Sequence, residues 1–406
     1  MAVLGPAVGQ TWLCTLLGVE ESERINMADD RIVLEGGEAI ALWKQGEDAW
    51  NAWIDENAEA DVSFKGVDFS QHAEQYGPVS FDGYHFPRGA VSFRGAKFGD
   101  NDLSFVASKF AKGYLDLGAA SFERTRVNFM SAVFEECDVL VINPIFNRAR
   151  FTFDFARFGG RFVFVSPLPL SPKGQRTRDE EAYSIKKLSF RFCQFQGVVL
   201  IEGRFDCIPD LRSTITQGHI DLQNLTVEPI HRLFVRGWGR IGDPHPVNDA
   251  VPALRRLKEL AEANRHHEAA LRFFGGECQA QRWTRYRMAA SLLDWAYDLL
   301  CDYGQSVARP VIGLFVSIAL FVVVYAALAS PELGKDIDVL GEAVSASLAN
   351  TLPFIPSSRT VRTDAFDLLY GTNPGLWIDI LSLTQGAIGF VFLFLIGLGL
   401  RNRFRM

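Results

Sequence analysis

Val79-Ser80-Phe81-Asp82-Gly83-Tyr84-His85-Phe86, Val91-Ser92-Phe93-Arg94-Gly95-Ala96-Lys97-Phe98 and Leu103-Ser104-Phe105-Val106-Ala107-Ser108-Lys109-Phe110 repeat one pattern every 12 residues. Aligned at that period, one column reads Phe69, Phe81, Phe93, Phe105, Leu117, Phe129, Val141, Phe153 and Val165. A second, five residues later, holds Phe86, Phe98, Phe110, Phe122, Phe134, Phe146 and Phe158. A third, two residues before the first, holds Val79, Val91, Leu103, Leu115, Val127, Val139, Phe151 and Val163. A fourth, two before the second, is mostly small: Tyr84, Ala96, Ser108, Ala120, Ala132, Pro144 and Ala156. This periodicity accounts for much of the unusual count of 33 Phe against 5 Met.

A fixed short period marks a solenoid. Two-residue gaps between apolar positions fit short strands whose alternate side chains face inward. The five-residue step with a small residue fits a corner, and Gly89, Gly95, Gly99, Gly113 and Gly118 fall where tight corners need them. Stacked coils then form Phe ladders, each buried ring worth roughly 1.5–3 kcal/mol. The expected core is Phe81, Phe86, Phe93, Phe98, Phe105, Phe110, Phe122, Phe129, Phe134, Phe146, Phe153 and Phe158.

The pattern resembles the pentapeptide-repeat superfamily in its Phe-rich form. The resemblance implies a right-handed quadrilateral β-helix, for which two 12-residue units per coil give the perimeter to enclose the rings. Leu42-Trp43-Lys44-Gln45-Gly46-Glu47-Asp48-Ala49-Trp50-Asn51-Ala52-Trp53 resembles the helical cap that precedes such repeats. A cap is what an open first coil needs.

The repeat breaks at Ser166, where Pro167, Pro169 and Pro172 lead into a polar loop, and resumes at Leu188-Ser189-Phe190. It fades through Ile220 and Leu225. From Asn248 the spacing of Leu254, Leu257, Leu260, Ala261, Ala270, Leu271 and Phe274 is helical, with a break at Asn264-Arg265-His266-His267. Residues 310–329 and about 380–400 are charge-free and long enough to cross a bilayer. The expected organisation is a mixed fold. It runs from a tail over 1–35 through a helical cap over 36–60 to the β-helix over 61–230, with an insertion at 166–187. A helical neck over 248–305 and a two-span membrane domain over 306–406 follow. Residues 1–26 read as a disordered tail or an over-extended reading frame ahead of Met27; no basic region marks a secretory signal.

Arg282, Arg285, Arg287 and Arg309 precede the first span, and Arg401, Arg403 and Arg405 follow the second. The intervening loop carries Glu332, Asp336, Asp338, Asp364, Asp367 and Asp379. The positive-inside rule therefore predicts a multi-pass protein of the cell inner membrane with both termini cytoplasmic. Asp302-Tyr303-Gly304-Gln305-Ser306, Leu352-Pro353-Phe354 and the closing Leu400-Arg401-Asn402-Arg403-Phe404-Arg405 resemble the membrane module of bacterial pentapeptide-repeat membrane proteins.

No nucleotide, hydrolase or metalloprotease motif is present, and Asp154 and Glu202 read as isolated acids. The chain is expected not to be an enzyme and to need no cofactor. His266 and His267 point to different helix faces and make a poor chelate, so no metal is expected. The six cysteines contain no C-x-x-C pair and read as reduced, small apolar residues. The net charge of −7 is mixed along the chain. Over 65–165 there are 11 Asp and Glu against 12 Lys and Arg, which disfavours both nucleic-acid binding and mimicry of DNA. The expected partners are the lipid bilayer, an unidentified protein and, for an oligomer, further copies of the chain. Two functions compete: a membrane-anchored scaffold or sensor that binds a protein, and an oligomeric two-span channel. In the second, Ala343–Ile355 would re-enter the membrane, with Asn350, Thr351, Pro353 and Phe354 as the pore loop.

Overall fold

A computed structural model of the protein describes residues 31–70, 78–166, 183–227, 245–282, 288–329, 338–352, 355–371 and 375–404. The chain forms two compact units, residues 1–232 with 252–264, and residues 233–251 with 265–406.

The first unit contains a parallel β-solenoid of about 7 turns. Val79 pairs with Leu103 and Leu103 with Val127, so one coil takes 24 residues, two sequence repeats. Each coil places four sets of side chains inward. Phe81, Phe105, Phe129, Phe153 and Phe190 form one ladder with ring centroids 4.6 to 5.1 Å apart. Phe86, Phe110, Phe134, Phe158 and Phe195 form a second at 4.3 to 5.0 Å. These distances follow from the ladder itself, since hydrogen-bonded strands lie about 4.8 Å apart. All twelve core phenylalanines expected from the repeat are buried.

Three column assignments made from the 12-residue period are overturned: Phe69, Val163 and Val165. Phe69 stacks on Phe98 at 5.1 Å and belongs to the second column; Phe64, stacked on Phe93 at 4.9 Å, holds the place in the first. The early coil is five residues longer than the regular 24-residue coil, because Val62 pairs with Val91, and this extra length makes Phe69 and Phe81 coincide with the period. At the other end, Val139 and Val141 pair with Phe162 and Phe164, not Val163 and Val165. The corner before them is one residue short, with Gly159-Gly160-Arg161 standing where the preceding coil has Glu135-Glu136-Cys137-Asp138. A Cβ at Gly159 would lie 1.5 Å from the Glu135 carbonyl oxygen, so only glycine can make the shortcut. A one-residue slip exchanges the inward and outward faces, and Phe162 and Phe164 become fully buried.

One corner position recurs with left-handed backbone. Gly83, Gly95, Ala107, Ala119, Ser131, Asn143, Phe155 and Phe192 all have φ between +49° and +77°. Glycine takes this conformation without strain, whereas for an L side chain it costs roughly 1–2 kcal/mol.

Helices α1 (Gly36–Trp43) and α2 (Glu47–Glu56) precede the Phe rungs. Trp50 is fully buried among Phe64, Phe81, Tyr84 and Phe86. Its Nε1 donates to the His85 carbonyl at 2.8 Å, and Trp43 Nε1 donates to that of Ser80 at 2.8 Å. Tyr84 is the one large residue in the small-residue column because its hydroxyl reaches the Trp43 carbonyl at 3.2 Å. A strand at Val33–Glu35, inside the segment expected to be a tail, pairs with Asp61–Ser63; residues 1–30 lie outside the described residues. After the break at Ser166, pairing resumes at Tyr183, not 188, and Ile185 is buried. The register there is irregular between Asn147 and Arg150, which hid these residues from a strict repeat. Of helix α3 (His245–Ala263), residues 252–263 belong to this unit. Leu254 and Leu257 are buried, Asn264 Oδ1 accepts from the Ile220 amide at 3.1 Å, and Arg256 donates to the Thr214 carbonyl at 2.9 Å.

The second unit is helical. Its elements are α4 (His267–Gln281), α5 (Met288–Cys301), α6 (Ala308–Leu328), α7 (Val339–Thr351), α8 (Ser358–Tyr370) and α9 (Leu376–Phe404). Helices α6 and α9, of 21 and 29 residues, are long and apolar enough to cross a membrane.

Two outcomes test the solenoid. Phe105→Asp and Phe129→Asp should abolish its cooperative melting in the detergent-solubilised protein, because a carboxylate would sit in an apolar stack. Lys97→Asp and Arg124→Asp should shift stability by no more than about 0.5 kcal/mol. At the left-handed corner, Ala119→Gly should stabilise by roughly 1 kcal/mol and Ala119→Val should destabilise, read as opposite shifts in Tm.

Candidate functional site

The Phe ladders occupy the solenoid interior, so its chemistry lies outside. A concavity of about 1250 Å³ lies in the first unit where successive coils turn a glycine corner. Its floor includes Gly89, Gly113 and Gly159, and at Gly113 a Cβ would meet the Gly89 carbonyl oxygen at 2.2 Å. Backbone packs on backbone there, with no room for a Cβ between coils. Its rim is charged and self-neutralising: Arg31 pairs with Asp61 at 3.6 Å, Arg88 with Glu59 at 3.4 Å and Lys112 with Glu136 at 3.5 Å. Exposed pairs of this kind contribute about 0–1 kcal/mol and rearrange readily. Gly89 and Gly113 were legible as corners, but their juxtaposition needed the 24-residue register.

Asp154 is not isolated, as the sequence suggested. It is nearly fully buried and accepts from Ser189 Oγ at 2.5 Å, the Arg191 amide at 3.0 Å and the Arg191 guanidinium at 3.0 and 3.2 Å. Asp138 holds Arg161 in a similar way, at 2.7 and 3.0 Å. These carboxylates join neighbouring coils. Glu202 likewise accepts from Asn224 at 3.3 Å. Burial pushes the Cys137 and Cys193 thiols up to about 12, which leaves them protonated at neutral pH. Among the described residues no group of three or more His, Cys, Asp or Glu is placed to hold a metal ion.

In the second unit, Asn350 and Thr351 lie at the end of α7, both buried; Pro353 and Phe354 fall outside the described residues. Gln385, fully buried on α9, is the centre of their surroundings. Its Oε1 accepts from the Tyr325 hydroxyl at 2.8 Å and from Asn350 Nδ2 at 3.1 Å. Its Nε2 donates to Ser347 Oγ at 2.7 Å and Thr351 Oγ1 at 3.2 Å. Asn350 also donates to the Ser382 carbonyl at 2.7 Å and accepts from Arg362 at 3.3 Å. Hydrogen bonds thus tie α7 to both apolar helices within one chain. Small residues allow the close approach: Ala343 and Ala346 pack with Phe321, Tyr325 and Phe366, and a Cβ at Gly389 would lie 3.2 Å from Thr351. The pattern is that of polar contacts and small residues joining helices in a bilayer. Thr384, by contrast, bonds the Ile380 carbonyl of its own helix at 2.7 Å.

A second polar cluster precedes α6. The buried Arg282 guanidinium donates to Asp294 at 2.5 Å, to Asp298 at 2.8 Å and to the Tyr303 hydroxyl at 2.6 Å. Tyr303 donates in turn to Asp294 at 3.0 Å. Burial, then the Asp294 charge, pushes the Tyr303 phenol well above its ordinary range, keeping it a donor. Single-residue reading missed this cluster; the four-residue step from Asp294 to Asp298, which puts both on one helix face, was its signal.

Compared with known protein families, curated proteins and solved structures, the chain has no significant match. What its own geometry defines is a Phe-filled parallel β-solenoid followed by a helical unit with two helices suited to span a membrane.

Gln385→Leu should lower the stability of the helical unit by about 1–2 kcal/mol, since it strips partners from Tyr325, Ser347, Asn350 and Thr351 together. Thr384→Val should be nearly neutral. Unfolding in mixed detergent, followed by susceptibility to protease, distinguishes them.

Proposed function

We propose that the protein is a membrane-anchored binding scaffold, whose solenoid offers the glycine-cornered groove to a protein partner. The observation that carries this reading is the filled interior: the Phe ladders leave recognition to the outer face, and the groove is a large concavity on it. A rim of alternating, loosely held Arg, Lys, Asp and Glu suits a polar protein surface better than a small apolar ligand. We take the solenoid as a right-handed, four-sided pentapeptide-repeat helix with α1 and α2 as its cap, on the strength of the repeat and the buried Trp50. Helices α6 and α9 anchor it in a bacterial inner membrane with both termini cytosolic, in line with the flanking arginines. The closed network around Gln385 favours the scaffold over the channel, because Asn350 and Thr351 use their polar groups in packing.

Photo-crosslinkers at Ala111, in the groove, and Arg150, away from it, test the scaffold in living cells. We expect one discrete heterologous adduct from Ala111 and none from Arg150. Equal adducts, or an adduct only with further copies of the chain, would refute the groove as the binding surface. Reporters after Met406 and near Ser357 should read cytosolic and external, respectively; single-channel currents altered by Asn350→Ala would instead support the pore.

A further inference from the structure

Helix α5 (Met288–Cys301) exposes its apolar side. Met288 and Leu293 are 75% and 73% exposed, and Leu292, Trp295 and Leu299 are also exposed. These residues and Ala289 and Ala296 share a broad stripe at helical spacing, and no charge interrupts it. The helix has only two charged residues, Asp294 and Asp298, and both lie on the other side, held by the buried Arg282. The clamp has a consequence for the exposed face. It draws both carboxylates inward, against α4's end and Tyr303, and leaves an uninterrupted apolar surface pointing away.

The place of α5 in the fold says what covers that surface. A short turn at Asp302–Gly304 joins it to α6, the first apolar helix. That turn is fixed to the end of the second: Asn402 donates to the Gly304 carbonyl at 3.3 Å. The start of α6 and the end of α9 therefore meet at one level, where Arg309, Arg401 and Arg403 are exposed. Arg309 pairs with Asp302 at 3.1 Å and donates to the Asp298 carbonyl, tying α5 to that same level. A Trp and a cluster of arginines at the ends of spanning helices mark the headgroup region. An amphipathic helix there buries its apolar face about 5–10 Å into the boundary of headgroups and acyl chains, while cations attract anionic lipids.

We infer that α5 is an interfacial helix, seated by Met288, Leu292, Leu293, Trp295 and Leu299 in the anionic lipid surface at the membrane level set by Gly304 and Asn402. The inference rests on α6 and α9 crossing the bilayer. The Arg282 clamp is the device that makes the helix one-sided.

The test uses full-length protein in vesicles of phosphatidylcholine and phosphatidylglycerol, with acyl chains brominated either near the headgroup or near the chain end. The Trp295 signal is the emission of the wild type minus that of Trp295→Phe, which keeps an aromatic residue on the apolar face. A second protein, Phe390→Trp in the Trp295→Phe background, reports on the middle of α9, where Phe390 is exposed. We expect the Trp295 signal to be quenched roughly twofold more by the shallow bromines than by the deep ones, matching interfacial depth. The signal gained by the Phe390→Trp substitution should show the reverse order. If Trp295 escapes both lipids while the reporter in α9 is quenched by deep bromines, α5 is covered by protein or water. The inference then fails and the spans stand. Deep quenching of Trp295 also overturns it, since the helix would be immersed. If the reporter in α9 is quenched by neither lipid, the spanning reading falls and takes the inference with it.

Discussion

Hydrogen bonding between parallel strands fixes the rise of the solenoid, and the rest of the first unit depends on that rise. Rings on successive coils are held at the spacing of the strands, and this is also a comfortable distance for stacked aromatics. Phe86 and Phe110 meet at 4.3 Å and Phe158 and Phe195 at 4.8 Å, with planes 1° and 8° apart. Such pairs add about 0.5–1.5 kcal/mol each beyond their burial. The arrangement replaces long strands with a column of repeated contacts. Its demands are local: an inward large residue, a small residue at the corner, and a left-handed turn before it.

The corners show how far those demands can bend. Phe155 and Phe192 occupy left-handed positions with φ of +65° and +59°, and their exposed rings stack at 5.0 Å. Where a corner loses a residue, at Gly159-Gly160, the face changes register and two new Phe residues enter the core. Between coils, Asp138 and Asp154 bind arginines of the next coil, so the outer surface repeats a motif of its own. The groove lies along these corners, where Gly89, Gly113 and Gly159 let backbone pack directly on backbone.

The helical unit is governed by the opposite problem, the satisfaction of polar groups among apolar helices. Gln385 uses both ends of its amide, and Asn350 both of its own, to join α6, α7 and α9. Arg282 does the corresponding work ahead of α6, where two carboxylates and a phenol surround one guanidinium. In each case a buried polar side chain is matched almost atom for atom, as burial away from water requires. This matching is what leads us to propose the scaffold over the channel: Asn350 and Thr351 are engaged in holding helices.

The repeat itself was plain in the linear chain. Phe105, Phe129 and Phe153 and their neighbours announce inward positions because regular coils of 24 residues return each position to the same face, and residues 310–329 and the run through Phe390 announce themselves by apolarity alone. The period of 12 could not distinguish one unit per coil from two, because either places the same columns inward; the pairing of Val79 with Leu103 decided it. Nor could it place Phe69 or Phe162, since a five-residue excess and a one-residue deficit alter which residues align without altering their type. Asn350 was visible as a polar residue in an apolar stretch, yet nothing local distinguished a pore from a joint. Its partners, Gln385 and Ser382, are more than 30 residues away along the chain. Periodicity is a property of neighbours in the chain and is written there. Register and partnership are properties of neighbours in space, and only the tertiary structure decides them.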